Sequence, residues 1–149
     1  MEINNCRAII VRDGKLVVME RFKDGKHYCV FPGGRLEKNE SYEECVTREL
    51  MEEFGITVKP VKMLYKFYIK GNIQAFFWCE WLSGDIHITD GEEYQADRNR
   101  GEYNPTTILL SQTEEKNLVP KEIVKQFKID YSNDNWLKNK PVQDIWSNE

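Results

Sequence analysis

The strongest constraint in this sequence is one amphipathic helix, residues 41–54, set between β-rich runs and bounded by glycines. Val46, Leu50 and Phe54 recur at helical spacing and form an apolar arc that must pack against a sheet. Gly55 follows as a C-cap, and Asn39 or Ser41 serves the N-terminus. At 100° per residue, Glu49, Glu52 and Glu53 fall within about 100° of one another on a separate face. Carboxylates so crowded repel by roughly a few tenths of a kcal/mol per i,i+4 pair on an isolated helix. Arg48 offsets only part of that repulsion. On charge alone, a glutamate-rich helix in an acidic protein reads as a solvated face. The Gly33-Gly34 turn ahead of the helix changes the reading, because glycine lets the backbone approach closely and leaves a carbonyl beside the acids. Carboxylate and carbonyl oxygens are the donors that Mg²⁺ and Mn²⁺ prefer.

The surrounding pattern supplies the sheet. Residues 6–11 and 16–19 are strand-like and flank Asp13-Gly14, a tight-turn signal, so a hairpin is expected. Residues 28–31 read as a short strand ended by Pro32-Gly33-Gly34. Two long strands follow the helix, at 58–69 and 73–82, turning at Lys70-Gly71-Asn72. A polar loop over 83–104, with a weak strand at 85–89, leads to a strand at 105–110. A last helix spans 120–129 with Pro120 at its first position. The order β-β-β-α-β-β-loop-β-α predicts an α/β chain, a mixed sheet with helices packed on it. One domain over 1–149 is expected, with a core of about 4–130 and a polar tail, 131–149, whose full order is left open and which is relieved only by Trp136 and Trp146.

Charge and cysteine usage narrow the function. The 21 Lys and Arg against 25 Asp and Glu give a net charge of −4, which argues against nonspecific binding to duplex nucleic acid. An anionic small substrate stays open if a metal ion supplies positive charge locally. Cys6, Cys29, Cys45 and Cys79 form no C-x-x-C pair and read as buried thiols of a reducing compartment. The first residues lack a basic segment followed by an apolar core, so no signal peptide is expected. The longest apolar stretch, near 74–82, is far short of the ~20 residues of a membrane span. A cytoplasmic protein without membrane contact is the expectation.

Gly34, Glu40, Arg48, Glu49, Leu50, Glu52, Glu53, Gly55 and Ile56 together resemble the Nudix box, the signature of the Nudix (MutT-like) hydrolases. That pattern is Gly, five residues, Glu, seven residues, Arg-Glu, an aliphatic residue, any residue, Glu-Glu, any residue, Gly and an aliphatic residue. Every fixed position is met over residues 34–56. The resemblance implies a Nudix-type α/β/α sandwich, a mixed curved sheet with the box helix on one face and a C-terminal helix on the other. It implies Mg²⁺- or Mn²⁺-dependent hydrolysis of a nucleoside diphosphate linked to another group, X. Carried over by position, Glu49, Glu52 and Glu53 would bind metal, with the Gly33 carbonyl completing the coordination and Glu40 a secondary ligand. Glu49 would also activate water, with Glu53 beside it, and Arg48 would orient a glutamate of the cluster.

The box leaves X open. The tyrosine of relatives acting on dinucleoside polyphosphates is missing at Asn72, Ile73 and Gln74, and the proline of ADP-ribose hydrolases is missing at Gly71 and Asn72. The coenzyme A signature before the box and the NADH signature after it are missing too. The resemblance that remains is to the small MutT-like group that hydrolyses (d)NTPs, canonical or oxidised, to monophosphate and pyrophosphate. An ADP-ribose or nucleotide-sugar pyrophosphatase is the alternative, and a noncatalytic ligand-binding regulator the reading from another class. Arg21 resembles a phosphate-binding arginine of some relatives. Phe22, Tyr28, Phe76 and Trp78 are the aromatic candidates for stacking on a base. Glu92, Glu93 and Glu102 are candidates for a general base in the loop. The partner is a small nucleotide, and a homodimer is left open.

Overall fold

Asp-Gly punctuates the N-terminal third twice, and both pairs adopt the positive φ that two-residue hairpin turns require: 53° and 75° at Asp13-Gly14, 52° and 74° at Asp24-Gly25. In the computed structural model, which describes residues 2–86 and 101–149, the first turn joins β2 (Val11–Arg12) to β3 (Lys15–Lys23). The second joins β3 to β4 (Lys26–Val30). The expected strand at 6–11 is divided. β1 (Ile3–Ile9) ends before the hairpin and pairs elsewhere, antiparallel to β5 (Gly33–Arg35) and parallel to β7 (Asn72–Ser83). The cause is burial on both sides. Ala8, Ile9 and Ile10 are all fully buried, so the run has no polar residue to mark where the chain changes sheets.

Two five-stranded sheets result. One has the order β10-β6-β7-β1-β5, with β6 at Thr57–Ile69 and β10 at Gln143–Trp146. The other has the order β2-β3-β4-β9, with β9 at Leu118–Val119 and β8 (Glu102–Leu109) paired to β3. Alternation along β7 sends Ala75, Phe77 and Cys79 to one core and Phe76 and Trp78 to the other. α1 (Tyr42–Phe54) closes the first core with Cys45, Val46, Leu50 and Phe54. α2 (Lys121–Tyr131) closes the second with Ile123 and Phe127. The molecule is thus a mixed α/β fold with curled sheets between two helices, as the resemblance implied.

Three expected boundaries move. β8 starts at Glu102 rather than 105. Pro120 is the N-cap of α2 rather than its first residue, with ψ at 136°. Residues 131–149 are docked: Trp136 meets Trp78 edge-on at 5.0 Å, Lys140 Nζ lies 3.0 Å from Asp130, and β10 extends the edge of β6. Charge hid this segment from the sequence reading, since its anchors are single aromatics separated by polar residues. The weak strand expected at 85–89 falls largely outside the described residues. Among the described residues no helix is long and apolar enough to cross a membrane.

Candidate active site

The box helix is fixed at both ends by local chemistry. Ser41 and Glu44 form a reciprocal capping box: the Glu44 N–H donates to Ser41 Oγ at 3.0 Å, and the Ser41 N–H donates to Glu44 Oε1 at 2.9 Å. Gly55 takes φ 70° as the left-handed C-cap. With Val46, Leu50 and Phe54 buried, the helical period turns Glu49 and Glu53 toward the Gly33-Gly34 turn and leaves Glu52 beside Arg48. A Cβ on Gly34 would lie 2.5 Å from Glu49 Oε1, so the missing side chain is what admits that carboxylate. Gly33 has φ 142°, a conformation that only glycine adopts readily.

Arg48 gathers the acids. Its Nε and Nη2 donate to both oxygens of Glu40, at 2.6 and 3.1 Å, and Nη1 donates to Glu49 at 3.1 Å and Glu52 at 3.2 Å. Nη2 also donates to the Arg35 carbonyl at 3.1 Å, tying the helix to β5. The paired guanidinium holds the Glu40 carboxyl well below the usual range, at about 2, and raises the Arg48 pKa in turn. Glu40 is therefore committed to Arg48 on both oxygens. Glu49 is mostly buried, and Glu52 lies at the rim with 59% of its side chain exposed.

Glu53 reaches deepest. Burial first, then the neighbouring Glu49 carboxylate, push its carboxyl up to about 8, against the pull of Arg7 and a hydrogen bond from the Gly33 backbone. The Arg7 guanidinium donates to the Phe31 carbonyl at 2.9 Å and to the Gly33 carbonyl at 3.4 Å. Burial lowers its pKa, while Glu53 and Glu49 draw it back up. Glu53 and Gly33 open into a cleft of about 260 Å³ whose opposite wall is Arg21, Tyr28 and Tyr103. Arg21 lies 3.7 Å over the Tyr103 ring and donates from Nε to the Glu102 carbonyl at 3.3 Å. Arg7, Val30 and Phe31 also line a second cavity of about 600 Å³, so the two spaces adjoin.

Arg21 and Tyr28 are direct cross-strand partners and reach the cleft together. Phe22 and Trp78 do not reach it. Strand alternation puts Phe22 on the other face of the hairpin, 44% exposed and against His27 at 4.7 Å. Trp78 faces α2, packed among Phe127, Tyr131 and Trp136. Phe76 lines the larger cavity. Glu102 opens β8 with an exposed side chain, while Glu92 and Glu93 lie outside the described residues. Sequence reasoning missed Arg7 and Tyr103. A charged residue inside the apolar run Cys6–Ile10 is a signal for Arg7, whereas Tyr103 has none in its polar surroundings.

The donors around the box, carboxylates of Glu49, Glu52 and Glu53 and the Gly33 carbonyl, are all oxygen, which suits Mg²⁺ or Mn²⁺. Burial first, and then Glu49, disfavour the ionised Glu53 carboxyl, and a divalent cation between the two acids would favour the ionised form of both.

The NUDIX domain profile matches residues 4–126. The CTP pyrophosphohydrolase of Escherichia coli is 35% identical over 94 residues, covering 60% of this chain and 68% of that one. The 8-oxo-dGTP diphosphatase of Escherichia coli is 32% identical over 76 residues, covering 49% and 54%. The first matched curated relatives are spanned over only 35% to 68% of their length. An ADP-ribose pyrophosphatase from Streptococcus suis shares the fold with a TM-score of 0.69, at 16% identity, over 95% of this chain and 97% of that one.

Proposed function

The chain belongs to the NUDIX domain family, and on that premise we propose that it is a divalent-metal-dependent pyrophosphohydrolase of nucleotides, acting on (d)NTPs. One observation carries the reading: Glu53 and Gly33, at the acidic face of the box helix, share a cleft with Arg21, and that cleft adjoins a cavity large enough for a nucleoside. Two curated relatives, named for CTP and 8-oxo-dGTP, favour a triphosphate over a linker substrate.

Nudix hydrolases generally use divalent metal ions. Glu49, Glu52, Glu53 and the Gly33 carbonyl would hold Mg²⁺ or Mn²⁺ here. Bound there, the ion would neutralise phosphate oxygens and lower the pKa of a water. Arg21, set over Tyr103, would grip the outer phosphates. Arg48 fixes Glu49 through Nη1 and so positions its carboxylate to accept the proton of the attacking water. Water oxygen bonds to the α- or the β-phosphorus, the anhydride P–O bond between them breaks, and nucleoside monophosphate and pyrophosphate separate, the one attacked keeping the new oxygen. Positioning and charge stabilisation do the remainder.

A panel of (d)NTPs, oxidised nucleotides, ADP-ribose and nucleotide sugars, assayed with Mg²⁺ or Mn²⁺, tests this reading. Monophosphate and pyrophosphate from a (d)NTP, with no diphosphate, are expected. The triphosphate assignment fails if a linker substrate beats every (d)NTP by more than about tenfold in kcat/KM, ~1.4 kcal/mol of transition-state preference. Absence of turnover across the panel would leave the ligand-binding reading.

A further inference from the structure

The larger cavity has a wall that lies outside the matched residues 4–126. Its floor is aromatic, with Phe31 and Phe67 each edge-on to Phe76 at centroid distances of 5.4 and 6.5 Å. Its rim is polar, and Ser147, Asn148 and Glu149 contribute to it beside Gln74 of β7 and Glu122 of α2. The segment before them is held firmly. β10 pairs in parallel with β6, and the Ser147 N–H continues the ladder by donating to the Tyr68 carbonyl at 2.9 Å. Trp146 stacks on Tyr68 at 5.0 Å, with an interplanar angle of 14°. The Asn148 N–H donates to Glu122 Oε2 at 2.8 Å, which binds the wall to the first turn of α2.

The side-chain amides of Gln74 and Asn148 make no hydrogen bond among the described residues, so each offers two N–H donors and a carbonyl acceptor. An aromatic floor with open amides at the rim is the chemistry of a planar heteroaromatic ring buried by its faces and read along its edge. At about 600 Å³ the space falls within the usual range for such ligands.

We propose that the C-terminal segment is the specificity wall of this protein: Asn148, with Gln74, reads the edge of the substrate's nucleobase, and Glu122 and Trp146 position it. The inference rests on the nucleotide-hydrolase reading above. Choice of base then depends on residues beyond the matched family region, while the phosphate chemistry depends on the box.

The test compares the full chain with Asn148→Ala, Gln74→Ala and Trp146→Ala on four NTPs and on methyl triphosphate, which carries no base. Asn148→Ala and Gln74→Ala should each lower kcat/KM for the best NTP at least ~10-fold more than for methyl triphosphate. The loss should fall on KM, with kcat retained, and the spread among the four bases should narrow. Trp146→Ala should give the same pattern at smaller size. Equal losses on both kinds of triphosphate, or an unchanged ranking of bases, overturn the wall while leaving the hydrolase reading intact. A second readout needs no turnover: calorimetric titration of nucleoside monophosphates in excess chelator. Binding that weakens about tenfold in Asn148→Ala, in a protein that hydrolyses nothing, supports the wall and defeats the hydrolase reading. Binding indifferent to both amide substitutions overturns the wall.

Discussion

In the absence of metal, Glu53→Gln should make the protein more stable near neutral pH. The Glu53 carboxyl is raised from its ordinary 4.5 to about 8, chiefly by burial and then by Glu49. A raised acid favours the folded state in its protonated form. Its contribution is therefore fully present below pH 4.5 and is lost as pH climbs through 8. At 1.36 kcal/mol per pKa unit, the penalty is about 1 kcal/mol at pH 5 and about 4 kcal/mol at pH 7.5. Glutamine keeps the shape without the charge. Its amide oxygen can take the Gly33 hydrogen bond, and its amide nitrogen can donate to Glu49. Urea unfolding in excess chelator should thus find the variant more stable by roughly 3 kcal/mol more at pH 7.5 than at pH 5, or about 10 °C in melting temperature. Saturating Mg²⁺ should narrow the gap at pH 7.5, because the cation stabilises only the carboxylate form. A stability difference that does not change between pH 5 and 7.5 would refute the reasoning, as would a variant less stable than the parent at the higher pH.

Other expectations follow from the same geometry. Glu49→Gln should reduce hydrolysis by at least ~10²-fold with the far-ultraviolet dichroism unchanged, since it removes one major electrostatic contributor; near-normal turnover would put the chemistry elsewhere. Chelator should abolish activity and Mg²⁺ or Mn²⁺ restore it, with melting temperature rising with free ion concentration. Arg21→Ala should raise KM for triphosphates more than it lowers kcat, read by initial rates, because the residue would grip phosphate in the ground state as well. Leu50→Ala, at a fully buried site under the box helix, should cost about 2–5 kcal/mol in denaturant unfolding.

What the sequence determined by itself is local and periodic. Ser41, Glu44 and Gly55 cap the helix using neighbours three or four residues away, and Val46, Leu50 and Phe54 choose its buried face. The acidic face follows from that choice, Gly34 before it follows from the need to admit Glu49, and Gly33 from the close approach of the Cys6 and Arg7 backbone. The Asp13-Gly14 turn was equally legible, because Asp and Gly tolerate the positive φ that a two-residue hairpin demands. Tertiary structure decided what long-range pairing brings together. Arg7 reaches Glu53 only because β1 leaves the hairpin for the β5–β7 sheet, a change that a fully buried run does not announce. Arg21 meets Tyr103 across a ladder joining residues more than eighty positions apart. The strand face of Phe22 and Trp78 likewise depends on register, and a shift of one residue would have exchanged inside for outside. The final segment completes the cavity through a few aromatic and polar contacts to β6 and α2, each ordinary in sequence and decisive only once the chain has closed on itself.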